Sequence, residues 1–131
     1  MPTTSPAVAG TRVRLDLDEM QGVWVSVAGL HEARLVVCGS RYTFELSTGD
    51  VYMGVLSLDP DERPCRMDMR VEEGPIRYRG QTGFCIYHLE GGVLRWCPTR
   101  PGSGLRLSSF PSVDDDKYLS LVFRRARPRR G

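Results

Sequence analysis

From Val23 onward the chain alternates apolar and polar residues with period two almost to its end. Segments rich in β-branched and aromatic residues are Val23 to Val27, Ala33 to Cys38, Arg41 to Leu46, Val51 to Leu58, Arg66 to Val71, Gly83 to Leu89, Val93 to Cys97 and Tyr118 to Arg125. They predict about eight short strands, with no helix-length segment between them. Alternate positions form one apolar face: Leu35 and Val37; Tyr42, Phe44 and Leu46; Gly54, Leu56 and Leu58; Met67 and Met69; Tyr87 and Leu89; Leu94 and Trp96; Leu119, Leu121 and Phe123. The other face carries Thr43, Glu45, Ser57, Arg66, Asp68, Arg70 and Arg95, as expected of a sheet with one side in water.

Gly39, Gly49 and the Gly91-Gly92 pair fall where successive strands must reverse, and Asp59 to Pro64 makes a longer turn. Strands joined this tightly pair antiparallel. The pattern therefore predicts an all-β fold, an up-and-down antiparallel barrel whose closure removes exposed sheet edges. A two-sheet sandwich is the structural alternative. Ahead of the strands, Leu15 to Gln21 has apolar residues at Leu17 and Met20 and predicts one or two helical turns before Gly22. Residues 1–14, with Pro2, Pro6 and many small side chains, are expected to be a disordered leader; 15–125 the barrel; and 126–131 a basic tail.

One connection breaks the rhythm. Pro98 to Lys117 is long for a compact domain. Two readings stand beside each other: a functional loop, or a tolerated insertion packed by Leu105, Leu107 and Phe110.

Composition adds little to this outline. The chain of 131 residues carries a formal charge of +2, and of its eighteen basic residues only Lys117 is a lysine. No window reaches the roughly 18 apolar residues of a membrane helix, and the N-terminus lacks the apolar stretch of a signal peptide, so a cytoplasmic location is expected with no membrane partner. The four cysteines, Cys38, Cys65, Cys85 and Cys97, form no CxxC pair and are expected to be reduced, with no metal site. His31 and His88 are tied to no nucleophile by spacing, haem ligation by either is disfavoured, and Asp114 to Lys117 reads as a solvated turn. No catalytic residue and no cofactor is expected.

Several stretches together resemble a lipocalin-like domain family found in Planctomycetes and related bacteria. Leu17-Asp18-Glu19-Met20-Gln21-Gly22-Val23-Trp24 resembles the family's opening L-x-G-x-W; Gly54 to Pro60 and Pro64 through Met69 follow in order. Ile86 to Cys97 resembles I-Y-x-L-[DE]-G-x-x-L-x-x-C, and Leu121 to Arg125 resembles the closing apolar run with its basic pair. The likeness spans roughly residues 15 to 127 by the same strand signals. It implies a small calycin-like barrel and supplies no catalytic residues; many members are secreted or attached to larger proteins. It also implies that Trp24, following Gly22, lies under an arginine of the last strand, Arg125, with Arg124 as the fallback. An arginine over an indole is worth about 0.5 to 2 kcal/mol.

Three functions follow as expectations. The first is a non-enzymatic binding module that takes a small apolar molecule in the barrel or a partner protein at the Pro98 to Lys117 loop. Tyr42, Tyr52, Tyr87 and Trp96 are its candidate ligand-binding residues, although a filled core is also consistent with so many inward Leu, Met and Phe. The second is an adaptor for nucleic acid or an acidic protein, through the five arginines among the last eight residues, Arg124, Arg125, Arg127, Arg129 and Arg130. The third is a barrel enzyme of isomerase or cyclase type, for which no convergent acid–base pair is visible.

Overall fold

A computed structural model describes residues 6–126. Eight antiparallel strands close into a barrel in simple sequential order, with the first strand pairing with the last. The strands are β1 (Gly22–Ala28), β2 (Ala33–Cys38), β3 (Arg41–Leu46), β4 (Val51–Asp59), β5 (Cys65–Glu73), β6 (Thr82–Glu90), β7 (Val93–Cys97) and β8 (Leu121–Arg125). The two-sheet sandwich is excluded by the β1–β8 ladder, in which Trp24 faces Arg125 and Ser26 faces Phe123. The alternation places Trp24, Leu35, Val37, Phe44, Leu56, Met67, Leu94, Leu121 and Phe123 inside, each buried. Burying such side chains stabilises the closed sheet by about 1.5 to 3 kcal/mol each relative to exposure.

The helix is longer than the expected turn. α1 runs from Pro6 to Met20, so it begins well inside the expected leader. Among the described side chains, Met20 is fully buried, Leu17 packs against the core, and Tyr87 donates to Asp16 Oδ2 at 2.7 Å. Further out, Arg12 pairs with Asp61 at 2.7 Å. No helix among the described residues is long and apolar enough to cross a membrane.

α1 ends by handing its last carbonyls to the barrel. A helix leaves its final four carbonyls without helical partners. Here Gln21 Nε2 donates to Leu17 O at 3.0 Å, the Gln21 amide to Asp18 O at 3.3 Å, and the Trp24 indole to Met20 O at 2.8 Å. Arg125 donates to Glu19 O and to Gln21 O, so all four carbonyls, and the one after them, are satisfied. Gln21 also clamps the β2–β3 turn, giving to Gly39 O at 2.8 Å and accepting from Gly39 N at 2.7 Å. Gly22 makes the bend from helix to strand at φ +112°, a region that L side chains rarely adopt.

Candidate functional site: a cavity at the mouth of the barrel

The two ends of the barrel differ. At the helix end the interior is filled by Met20, Trp24 and Leu17, with Arg125 lying over the Trp24 ring at 4.5 Å from its centroid. Towards the other end the interior opens into a cavity of about 470 Å³. That is within the range of small-molecule sites, roughly 300 to 1,000 Å³.

The floor of the cavity comes from the strands. Tyr42, Phe44 and Leu46 on β3, Tyr52 on β4, Met69 and Val71 on β5, Cys85 on β6 and Trp96 on β7 all face it. The aromatic rings pack against one another: Phe44 and Trp96 are tilted at 4.8 Å between centroids, and Tyr52 lies between Phe44, at 6.1 Å, and Tyr78, at 6.2 Å. Such offset and tilted pairs are worth about 0.5 to 1.5 kcal/mol beyond burial, which stiffens the walls.

Tyr42 is fixed by a neighbour with no side chain. Gly54 stands beside it on β4, and the Tyr42 hydroxyl donates past it to Arg70 O on β5 at 2.9 Å. The β4–β5 register shifts between Met53 and Gly54, and a Cβ on Gly54 would fall 1.8 Å from that same Arg70 oxygen. Burial pushes the Tyr42 phenol well above its ordinary value, so it is neutral.

The polar groups of the cavity are few. Trp96 is 2% exposed, and its Nε1–H reaches no oxygen or nitrogen acceptor among the described residues, with only the Cys85 thiol beside it. Cys85 is also buried, and burial pushes its thiol up, an effect partly opposed by the Trp96 N–H. A protonated, enclosed thiol is a weak acceptor and a poor nucleophile. The lining contains no histidine, aspartate or glutamate.

The rim is built by the segment 98–120: the alternation leaves 98–117 without an element, and the strand expected from Tyr118 begins only at Leu121, so 118–120 belong to the same segment. It is a strap laid against the outside of β6 and β7. Arg106 is the main rivet: it donates to Cys85 O at 2.8 Å, pairs with Asp68 and stacks over Phe84 at 4.8 Å. Thr99 gives to Phe84 O at 3.1 Å, and Gly102 N to Thr82 O at 3.0 Å. Near its far end, Arg95 reaches Pro111 O at 2.7 Å and lies over Phe110 at 4.8 Å. The Cys97 thiol donates to Ser120 Oγ at 3.2 Å, and Ser120 in turn to Pro111 O at 3.1 Å. The strap is thus held largely by polar contacts; of the residues expected to pack it, Phe110 lies under Arg95 and Leu107 is half-buried, whereas Leu105 is exposed at 47% on the cavity rim. Both of its ends border the cavity, bringing Arg100, Leu105, Lys117, Tyr118 and Leu119 to the mouth.

Of the four residues expected to meet a ligand, Tyr42, Tyr52 and Trp96 line the cavity. Tyr87 does not: it sits inside the barrel near α1, where its hydroxyl is committed to Asp16. Alternation tells which face a residue takes, not its height along the barrel axis. Tyr87 instead borders a second hollow of about 490 Å³ alongside α1, with Arg12, Cys65 and His88. Tyr78 comes from the Ile76–Tyr78 turn, outside any alternating run, and Tyr118 from the strap just ahead of β8, although the alternation places it at the start of the last strand; neither was among the expected ligand-binding residues.

The remaining residues lie apart from the cavity. His31 is exposed, and His88 is exposed and bonded to Glu90 at 2.9 Å. Cys38 is exposed and Cys65 half-buried, each a free thiol. No group of three or more His, Cys, Asp or Glu suited to a metal occurs among the described residues. Asp115 accepts from the amides of Lys117 and Tyr118, which holds its carboxyl below the ordinary range and shapes the turn ahead of β8. Arg124 is exposed on β8, whereas Arg127, Arg129 and Arg130 lie outside the described residues. Compared with known proteins, the chain matches no family model, no curated protein and no solved structure.

Proposed function

We propose that this barrel is a non-enzymatic binding protein that takes one small, largely apolar molecule into its open end. The observation that carries the reading is the cavity of about 470 Å³, walled by Phe44, Tyr52, Met69, Val71 and Trp96 and continuous with the barrel interior. Closing such apolar walls over a ligand gains about 25 cal/mol per Å² of apolar surface removed from water. The tyrosine hydroxyls at the mouth offer the few polar contacts that discriminate between ligands. The enzymatic alternative finds no support in the lining, since its only thiol is held protonated and no acid–base pair converges there.

A neutral fluorescent probe, N-phenylnaphthylamine, tests the reading. Saturable binding at one site per chain, with quenching of Trp96, is the expected result. Leu119→Trp, which sets a larger ring across the mouth, is expected to weaken that binding while leaving the unfolding midpoint in urea nearly unchanged. If no saturable site is found, or if Leu119→Trp binds as well as the unaltered chain, the interior is not the binding site. The weight then moves to the outer surface of the strap as a protein-binding face.

A further inference from the structure

Resting on that reading, we infer that the ligand is a bipolar one: an apolar ring-sized body with an uncharged hydrogen-bond acceptor at its inner end and an anionic group at its outer end. Two independent features of the cavity set these poles.

The inner pole is the Trp96 indole. Its ring is enclosed by Phe44 at 4.8 Å and Phe123 at 6.1 Å, and its N–H has no oxygen or nitrogen acceptor among the described residues. A buried donor without an acceptor is unfavourable, and few such groups persist in a folded protein without a reason. The other indole of the chain behaves in the ordinary way, giving its proton to Met20 O at 2.8 Å. The group nearest to serving Trp96 is the Cys85 thiol, a weak acceptor. A carbonyl, ether or quinone oxygen of a ligand lying on Met69 and Phe44 would satisfy the N–H, whereas a purely hydrocarbon ligand would seal it in unsatisfied.

The outer pole is the rim. Two charged side chains line the cavity, Arg100 and Lys117, and both are cationic. Neither forms a salt bridge among the described residues; Lys117 rests over the Tyr118 ring at 5.3 Å from its centroid. Four other arginines, Arg12, Arg41, Arg66 and Arg106, are matched to a carboxylate, while others such as Arg34, Arg70 and Arg124 share the unpaired state of Arg100; what sets Arg100 and Lys117 apart is their place on the rim of an apolar cavity. Burial, and after it the nearby Asp50, push the Tyr52 phenol up, but Asp50 is not part of the lining. The lining of the mouth therefore carries two cations and no carboxylate above an apolar floor, with Asp115 behind Lys117 offsetting part of its charge, and it favours an anion left in contact with water over a cation.

Three dyes separate the poles in the full chain. The first pair, N-phenylnaphthylamine and anilinonaphthalene sulfonate, share a ring body and differ by the sulfonate. The sulfonate is expected to bind about threefold to tenfold more tightly, as two exposed ion pairs allow. That advantage should vanish in the double variant Arg100→Gln and Lys117→Gln and at high salt. The third dye, a propionyl-dimethylaminonaphthalene, emits at longer wavelength when its carbonyl accepts a hydrogen bond. Trp96→Phe is expected to move that emission to shorter wavelength and weaken binding about threefold to tenfold, while the rim variant leaves both unchanged. Equal affinity for the first pair in the unaltered chain overturns the anionic pole. An unshifted carbonyl dye in Trp96→Phe overturns the inner pole. Failure of all three dyes to bind overturns instead the proposal that the cavity is a site at all, and circular dichroism of each variant separates these outcomes from misfolding.

Discussion

Replacing Arg125 by methionine removes the part that joins the first strand, the last strand and the helix, while keeping an apolar stem of similar length. In the native barrel the guanidinium donates to the carbonyls of Glu19 and Gln21 and lies 4.5 Å from the centre of the Trp24 ring. A hydrogen bond from a charged donor at a partly exposed site contributes about 1 kcal/mol net, so two contribute about 2 kcal/mol. The cation–π contact adds about 0.5 to 1 kcal/mol where the cation remains in water, as here. Arg125→Met is therefore expected to destabilise the protein by about 2 to 3 kcal/mol, read as a lowered midpoint in urea with an unchanged slope. Arg125→Lys, which keeps the charge and loses the fork, should retain about half. Combining Arg125→Met with Trp24→Phe isolates the ring contact, with an expected coupling of about 0.5 to 1 kcal/mol. A loss below about 0.5 kcal/mol for Arg125→Met, the level of an ordinary surface substitution, would refute the claim that this arginine caps the helix and closes the barrel.

Gly54→Ala is expected to destabilise by at least about 3 kcal/mol, because backbone cannot move aside as a flexible side chain can; its Cβ would meet Arg70 O at 1.8 Å. Urea unfolding measures the effect, and a near-neutral result would show that the β4–β5 bulge is not the constraint it looks. The second expectation concerns alkaline pH. Burial raises the phenols of Tyr42 and Tyr87 above their ordinary 10.0 and the Cys85 thiol above its ordinary 9.0, with Asp16 adding to the rise at Tyr87. The folded protein thus keeps protons that the unfolded chain releases, and the stability these groups contribute, full below pH 9, is lost as pH rises through 9 to 10 and beyond. Stability measured in urea should fall steadily over that range, and Tyr87→Phe should shallow the fall; a flat profile would contradict the burial of these groups.

Most of the barrel is legible in the sequence because period-two alternation is a local property. Phe44 and Leu56 face inward because their immediate neighbours face outward, and no knowledge of distant contacts is needed. The long α1 is not legible in this way. Within 11–20 only Leu17 and Met20 turn toward the core, so the helix carries a weak apolar stripe and persists by docking on Tyr87 and Trp24. The outer cover of β6 and β7 is likewise non-local. Ile86 and Cys97 have the parity of the wet face, yet both are buried beneath the strap, at 1% and 0% exposure. A signal was present: Phe84 to Tyr87 is an unbroken apolar run, and a strand apolar at both parities is one covered on both faces.

The strap explains how the mouth acquires its charges. Arg100 and Lys117 are separated by sixteen intervening residues and belong to no strand, so an unanchored loop would let them range widely over the surface. Instead the loop is pinned near both ends. Thr99 and Gly102 bond to β6 on either side of Arg100, and Asp115 holds the amide of Lys117 while Ser120 is tied to Cys97. Between these points Arg106 and Arg95 fasten it to the outer wall. Hydrogen bonds of this kind contribute about 1 kcal/mol each, enough in sum to hold a segment of this length against its loop entropy, which grows only slowly with length. The two ends of the barrel are consequently built on opposite principles. At the helix end every carbonyl of the last turn finds a donor, whereas at the mouth an indole N–H meets no oxygen acceptor and two cations meet no paired carboxylate among the described residues, which is the arrangement a site requires before its ligand arrives.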